Sequence, residues 1–146
     1  MKIKTVIQIN HSTEKVFRYL TNSRNMPEWM MGLQKIKSVK GRRPAKGSIS
    51  TQVFKDAKGL MEVKEEVVEF ERNKTFALQL SHKNMETTQL FSLAANEDGT
   101  KLTVETQTRL IPAFIGIFGV FMKDQMRRQQ EQDLKKLKRK INEKYS

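Results

Sequence analysis

The stretch Ile7-Gln8-Ile9-Asn10-His11-Ser12-Thr13-Glu14-Lys15-Val16-Phe17 runs from a strand straight into a helix. Upstream, Lys2 to Ile9 largely alternate in polarity, the period of a half-buried strand. Ser12 stands where a helix N-cap belongs, and Glu14 where the N-terminal end of the helix dipole favours negative charge. Val16, Phe17 and Leu20 then supply an apolar stripe at helical spacing. Asn22 to Asn25 break this helix. Met26-Pro27-Glu28-Trp29-Met30-Met31-Gly32 reads as a second short helical turn, with Pro27 tolerated at its first position.

Downstream the pattern changes. From Leu33 to Ile111, six segments of sheet-like composition are separated by turn chemistry at Gly41–Gly47, Asp56–Gly59, Arg72–Lys74, His82–Asn84 and Asn96–Gly99. The clearest alternations are Phe76/Leu78/Leu80, Phe91/Leu93 and Leu102/Val104/Thr106/Thr108/Leu110. Short turns between consecutive strands imply antiparallel hairpins, hence a meander with one buried face and one wet face. Pro112 opens a final helix that runs to about Lys144. Its first part, Ala113 to Met122, is apolar nearly all round; in its second part Met126, Leu134, Leu137 and Ile141 form one stripe. No repeat or linker interrupts the 146 residues, so residues 1–146 read as a single α+β domain.

Composition excludes several chemistries. Without cysteine there is neither a disulfide framework nor a thiolate metal site, and His11 and His82 lack ligand spacing. No metal and no cofactor are expected. The N-terminus has no signal-peptide core, and the run from Leu110 to Met122 is shorter than the roughly 20 residues that span a bilayer. A cytoplasmic protein is the expectation. The net charge of +12 is concentrated: residues 34–47 hold six Lys/Arg and no acid, and residues 123–144 hold nine against four. Such segments attract anionic surfaces weakly, or are simply a solvated loop and a solvated helix face.

The order strand, two short helices, six strands, long helix resembles the helix-grip superfamily: START domains, the birch-pollen allergen and the polyketide cyclase/dehydrase (SRPBCC) group. Three pieces carry the resemblance. They are the opening stretch with its Met26-Pro27-Glu28-Trp29-Met30 continuation, Glu66-Val67-Val68-Glu69-Phe70-Glu71-Arg72, and the Gly-Thr turn Asn96-Glu97-Asp98-Gly99-Thr100-Lys101-Leu102. The resemblance implies a curved seven-stranded sheet gripping the C-terminal helix around a ligand cavity.

In the strand phases above, Met61, Val63, Phe76, Leu78, Phe91, Leu93, Val104 and Thr106 point inward, while Trp29, Phe114 and Phe118 close the mouth. Composition alone reads this set as a dry core; the resemblance implies that it lines a cavity for a lipid, sterol-like or polyketide-like molecule. Glu65 is the candidate polar cavity group, inward unless a bulge near Glu66–Val67 turns it to solvent. Thr51, Thr87, Gln89 and Thr108 offer weaker hydrogen bonds. Gly116 and Gly119 mark either close packing on the sheet or a softened gate.

Three functions follow, in order of preference. The first is a carrier or sensor of a hydrophobic small molecule. The second is a cyclase/dehydrase-type enzyme, for which neither a carboxylate pair nor a Ser/His/Asp arrangement is visible and no catalytic residue is assigned. The third is a basic module on an anionic surface such as a membrane; nucleic acid is not favoured, because RNP-type and helix-turn-helix signatures are missing.

Overall fold

A computed structural model describes the backbone of residues 1–83, 85–110 and 117–146, and the side chains of all of these except 110 and 117–121. Strand β1 (Lys2–Ile9) leads into helix α1 (Thr13–Thr21) and a single 3-10 turn (Met26–Glu28). Strands β2 (Leu33–Lys40), β3 (Ile49–Asp56), β4 (Gly59–Glu71), β5 (Thr75–His82), β6 (Met85–Asn96) and β7 (Gly99–Leu110) follow, and then α2 (Ile117–Lys144). The start of the final helix at Pro112, with Phe114 and Gly116, lies outside the described residues. Gly119 is within α2.

The sheet is antiparallel throughout, in the order β1-β7-β6-β5-β4-β3-β2. Each strand from β2 to β6 pairs with its successor, as short turns demand, and β1 closes onto β7. Register brings apolar residues into rows across the inner face. Phe76 opposes Phe91, Phe91 opposes Val104, and Leu93 opposes Leu102.

Caps and turns behave as the sequence predicts. The Ser12 hydroxyl accepts from the Lys15 amide at 3.3 Å. The turn before β7 sits tightly under the β1–α1 junction: a Cβ on Gly99 would stand 2.5 Å from the Ile9 carbonyl oxygen, and Gly99 has φ +129°. Thr100 Oγ1 donates to the His11 carbonyl at 2.8 Å across the same junction.

The bulge in β4 falls between Val67 and Glu69, beyond Glu65 rather than beside it. Glu65 and Val67 therefore stay on the inner face. The extra residue then brings Phe70 opposite Phe76 and against Phe17 of α1, with ring centroids 5.4 Å apart.

Leu134, Leu137 and Ile141 of α2 are fully buried in one cluster with Ile9, Leu20, Leu78 and Leu102. The sheet thus grips the second half of α2, while α1 and the 3-10 turn close one side through Val16, Phe17, Leu20 and Met26. This is the helix-grip architecture.

Candidate functional site

Above the Leu134 layer the helix and the sheet separate, leaving a cavity of about 270 Å³. The sheet supplies Ile3, Leu80, Phe91 and Val104, with the polar residues Thr87, Gln89 and Thr106. Trp29, Met30 and Met31 follow the 3-10 turn to form one wall with Phe54 of β3, and α2 contributes Met126, Gln129, Gln130, Asp133 and Leu134. Trp29 is 3% exposed and meets Phe91 edge-on, with centroids 6.4 Å apart. Met31, 69% exposed, marks the rim.

The polar groups of the wall largely engage one another. Gln130 is clamped: its Oε1 accepts from Thr106 Oγ1 at 2.5 Å, and its Nε2 donates to Thr5 Oγ1 at 2.9 Å and to the Val104 carbonyl at 3.3 Å. Thr87 and Thr108 share a hydrogen bond of 3.1 Å. Trp29 Nε1 and Gln89 Oε1 are buried without a partner among the described residues. Asp133 Oδ1 accepts from the Met31 amide at 3.3 Å and from Gln129 Nε2 at 2.7 Å. Burial pushes the Asp133 carboxyl above its ordinary value; the two hydrogen bonds and Lys136 pull the other way and are outweighed.

Of the residues expected to line a cavity, Trp29, Phe91, Val104 and Thr106 border this one. The others do not. Phe76, Leu78 and Leu93 are buried on the same inner face, but in the packed cluster below, because that face is longer than the cavity. Val63 is buried on β4, and Met61 is half-buried opposite Phe54. Phe114 and the side chain of Phe118 lie outside the described residues.

Glu65 points inward and is wholly buried, yet it does not border the cavity. Its Oε1 takes Arg43 Nε at 2.6 Å, and its Oε2 takes Gln52 Nε2 at 2.6 Å. Arg43 also donates to the Thr21 carbonyl at 2.7 Å and lies over the Phe76 ring. Both carboxylate oxygens are occupied, so this is a structural tie. Arg43 accordingly leaves the solvated basic loop to which its sequence neighbours assign it.

His11 bonds Asn142 at 3.1 Å and His82 bonds the Glu62 carbonyl at 2.9 Å, both away from the cavity. No cluster of three or more His, Cys, Asp or Glu side chains suited to a metal occurs among the described residues. Gln130 and Asp133 went unrecognised in the sequence. A signal for Gln130 was present: Met126, Gln130 and Leu134 are spaced by four, one helical stripe.

Comparison with known proteins bears on the whole chain. Among solved structures, TTHA0849 from Thermus thermophilus superposes with a TM-score of 0.82 at 15% identity, covering 100% of both chains. Protein MLL2253 from Mesorhizobium loti gives a TM-score of 0.74 at 22% identity, covering 100% of this chain and 99% of that one. Ara h 8.0201 gives a TM-score of 0.76 at 13% identity, covering 98% of each. At these identities the likeness shows the fold. No curated protein matches the chain. The family described as polyketide cyclase/dehydrase and lipid transport matches residues 1–142, and the chain belongs to it.

Proposed function

We propose that this protein holds a hydrophobic small molecule in the cavity between its sheet and α2, as a carrier or sensor, without transforming it. The observation that carries this reading is the cavity itself. It is walled mainly by Trp29, Phe91, Val104, Phe54 and three methionines and opens at the Met31 rim. Its volume of about 270 Å³ lies just below the roughly 300–1,000 Å³ of typical ligand pockets. Methionine suits such a wall because its flexible thioether adapts to irregular apolar shapes. Family membership supports the same reading through its lipid-transport description. A cyclase-type reaction is not favoured, since Thr106, Gln130, Thr87 and Thr108 bond one another and offer no poised acid–base pair.

Trp29 is the sole tryptophan, so its emission reports on the cavity. Titration with an apolar naphthalene fluorophore is expected to give one saturable transition with a change in Trp29 emission. Linear, non-saturating uptake overturns the reading.

The ligand would be exchanged in the cytoplasm, in keeping with a chain that carries no cysteine. No described helix is long and apolar enough to cross a membrane. Exposed Lys35, Lys37 and Lys40 on edge strand β2, with Lys135 and Arg139 on α2, support weak contact with anionic bilayers. Exposed charges are screened over about 8 Å at physiological salt, so co-sedimentation with anionic vesicles should fade as salt rises.

A further inference from the structure

Among the described residues of the cavity wall one side chain is charged, that of Asp133. The other described lining residues are apolar or neutral, so the interior carries a single negative charge inside a protein of net charge +12. No Lys or Arg forms an ion pair with Asp133 among the described residues. Lys136, three positions further along α2, is exposed. The hydrogen bonds that Asp133 accepts, from the Met31 amide and from Gln129, both fall on Oδ1. Oδ2 therefore has no partner among the described residues.

A half-buried carboxylate without a counter-ion favours binding a cation over remaining empty, because a charge-assisted hydrogen bond returns part of what was lost with water. It disfavours a second carboxylate for the same reason. Trp29 and Phe91, edge-on to one another in the same wall, offer the surface on which an aromatic body packs.

We propose that the ligand class is a compact apolar molecule bearing a protonated amine, with the ammonium donating to Asp133 Oδ2, and that carboxylate-bearing lipids are rejected. The inference rests on the cavity being a ligand site. It also runs against the charge of the outer surface, which repels cations, so any preference for an amine has to arise inside.

The test is calorimetric titration with three probes sharing one ring body: 1-naphthylmethylamine, 1-naphthalenemethanol and 1-naphthoate. The amine is expected to bind about tenfold more tightly than the alcohol, the scale of one charge-assisted hydrogen bond, and the naphthoate more weakly than either. Asp133→Asn keeps an acceptor oxygen for Met31 and Gln129 and should bring the amine-to-alcohol ratio close to one. An alcohol that equals the amine in the unaltered protein, or a ratio that survives Asp133→Asn, overturns the amine inference while leaving the cavity reading intact. Failure of all three probes to bind overturns the cavity reading, and this inference with it.

Discussion

Arg43 Nε lies 2.6 Å from Glu65 Oε1, with the two side chains only 6% and 0% exposed. The pair joins the β2–β3 loop to the middle of β4, and Gln52 and the Thr21 carbonyl complete its hydrogen bonding. Desolvating two charges is expensive, so such a pair contributes little net stability, but losing one partner strands the other. Arg43→Met should therefore cost about 3–5 kcal/mol in urea unfolding. The double variant Arg43→Met/Glu65→Leu should recover part of that loss, the remainder reflecting the buried Gln52 amide left without its acceptor. If the double variant is as unstable as the single one, stranded charge is not the cause.

This pair also shows where sequence reading stops. The alternation of β4 puts Glu65 in phase with Met61 and Val63, and the bulge follows Val67, so that phase is intact at Glu65, which is buried against Arg43 and not in the cavity. Nothing local announced Arg43. It is 22 residues away, in a loop whose other cations are exposed, and only the closed fold brings it to Glu65. Strand order and turn positions were legible because glycine, asparagine and charge mark each reversal. The cavity was legible only in part. Its floor follows from strand phase, whereas its roof depends on where α2 parts from the sheet, and a glutamine on the buried stripe reads as a surface residue until its partners are known.

Gly99 and Gly47 both have positive φ, +129° and +88°, but only Gly99 is crowded. A Cβ on Gly47 meets nothing within 4 Å, whereas one on Gly99 collides with the backbone of Ile9 and His11. Backbone strain of this kind costs about 1–3 kcal/mol. Gly47→Ala should fall in that range, and Gly99→Ala should exceed it because the β1–α1 junction has to move as well. Equal losses for the two variants would mean that the close approach at Gly99 relaxes freely.

Asp133 gives stability a pH dependence of known sign. Its carboxyl is raised above the ordinary 3.8, chiefly by burial, so the folded chain holds this proton more tightly than the unfolded one. The stability linked to it is fully present below the unfolded value and is lost as pH rises through the folded value. Asp133→Asn, which stays neutral, should raise Tm at pH 7. The two proteins should converge below about pH 3, where both side chains are uncharged. A lower Tm for Asp133→Asn at pH 7 would show that its hydrogen bonds and Lys136 outweigh its burial.

Position along α2 should decide whether a truncation affects stability or binding. Leu137 is fully buried among sheet and α1 residues, and shortening a leucine in such a place costs about 2–5 kcal/mol, depending on how far the site collapses. Met126 is half-buried, and one side of it already faces open cavity. Removing its side chain enlarges an existing space and loses fewer packing contacts. Leu137→Ala should therefore lower the urea midpoint strongly and leave the affinity of the folded protein for naphthalene probes within about twofold, since Leu137 is not among the residues that line the cavity. Met126→Ala should do the reverse, costing under about 1.5 kcal/mol while weakening or re-ordering probe affinities. Paired unfolding and titration of the two variants checks this. Parallel losses in both measurements would mean that α2 acts as one rigid unit from Met126 to Ile141, with no division between a packed half and a ligand-facing half.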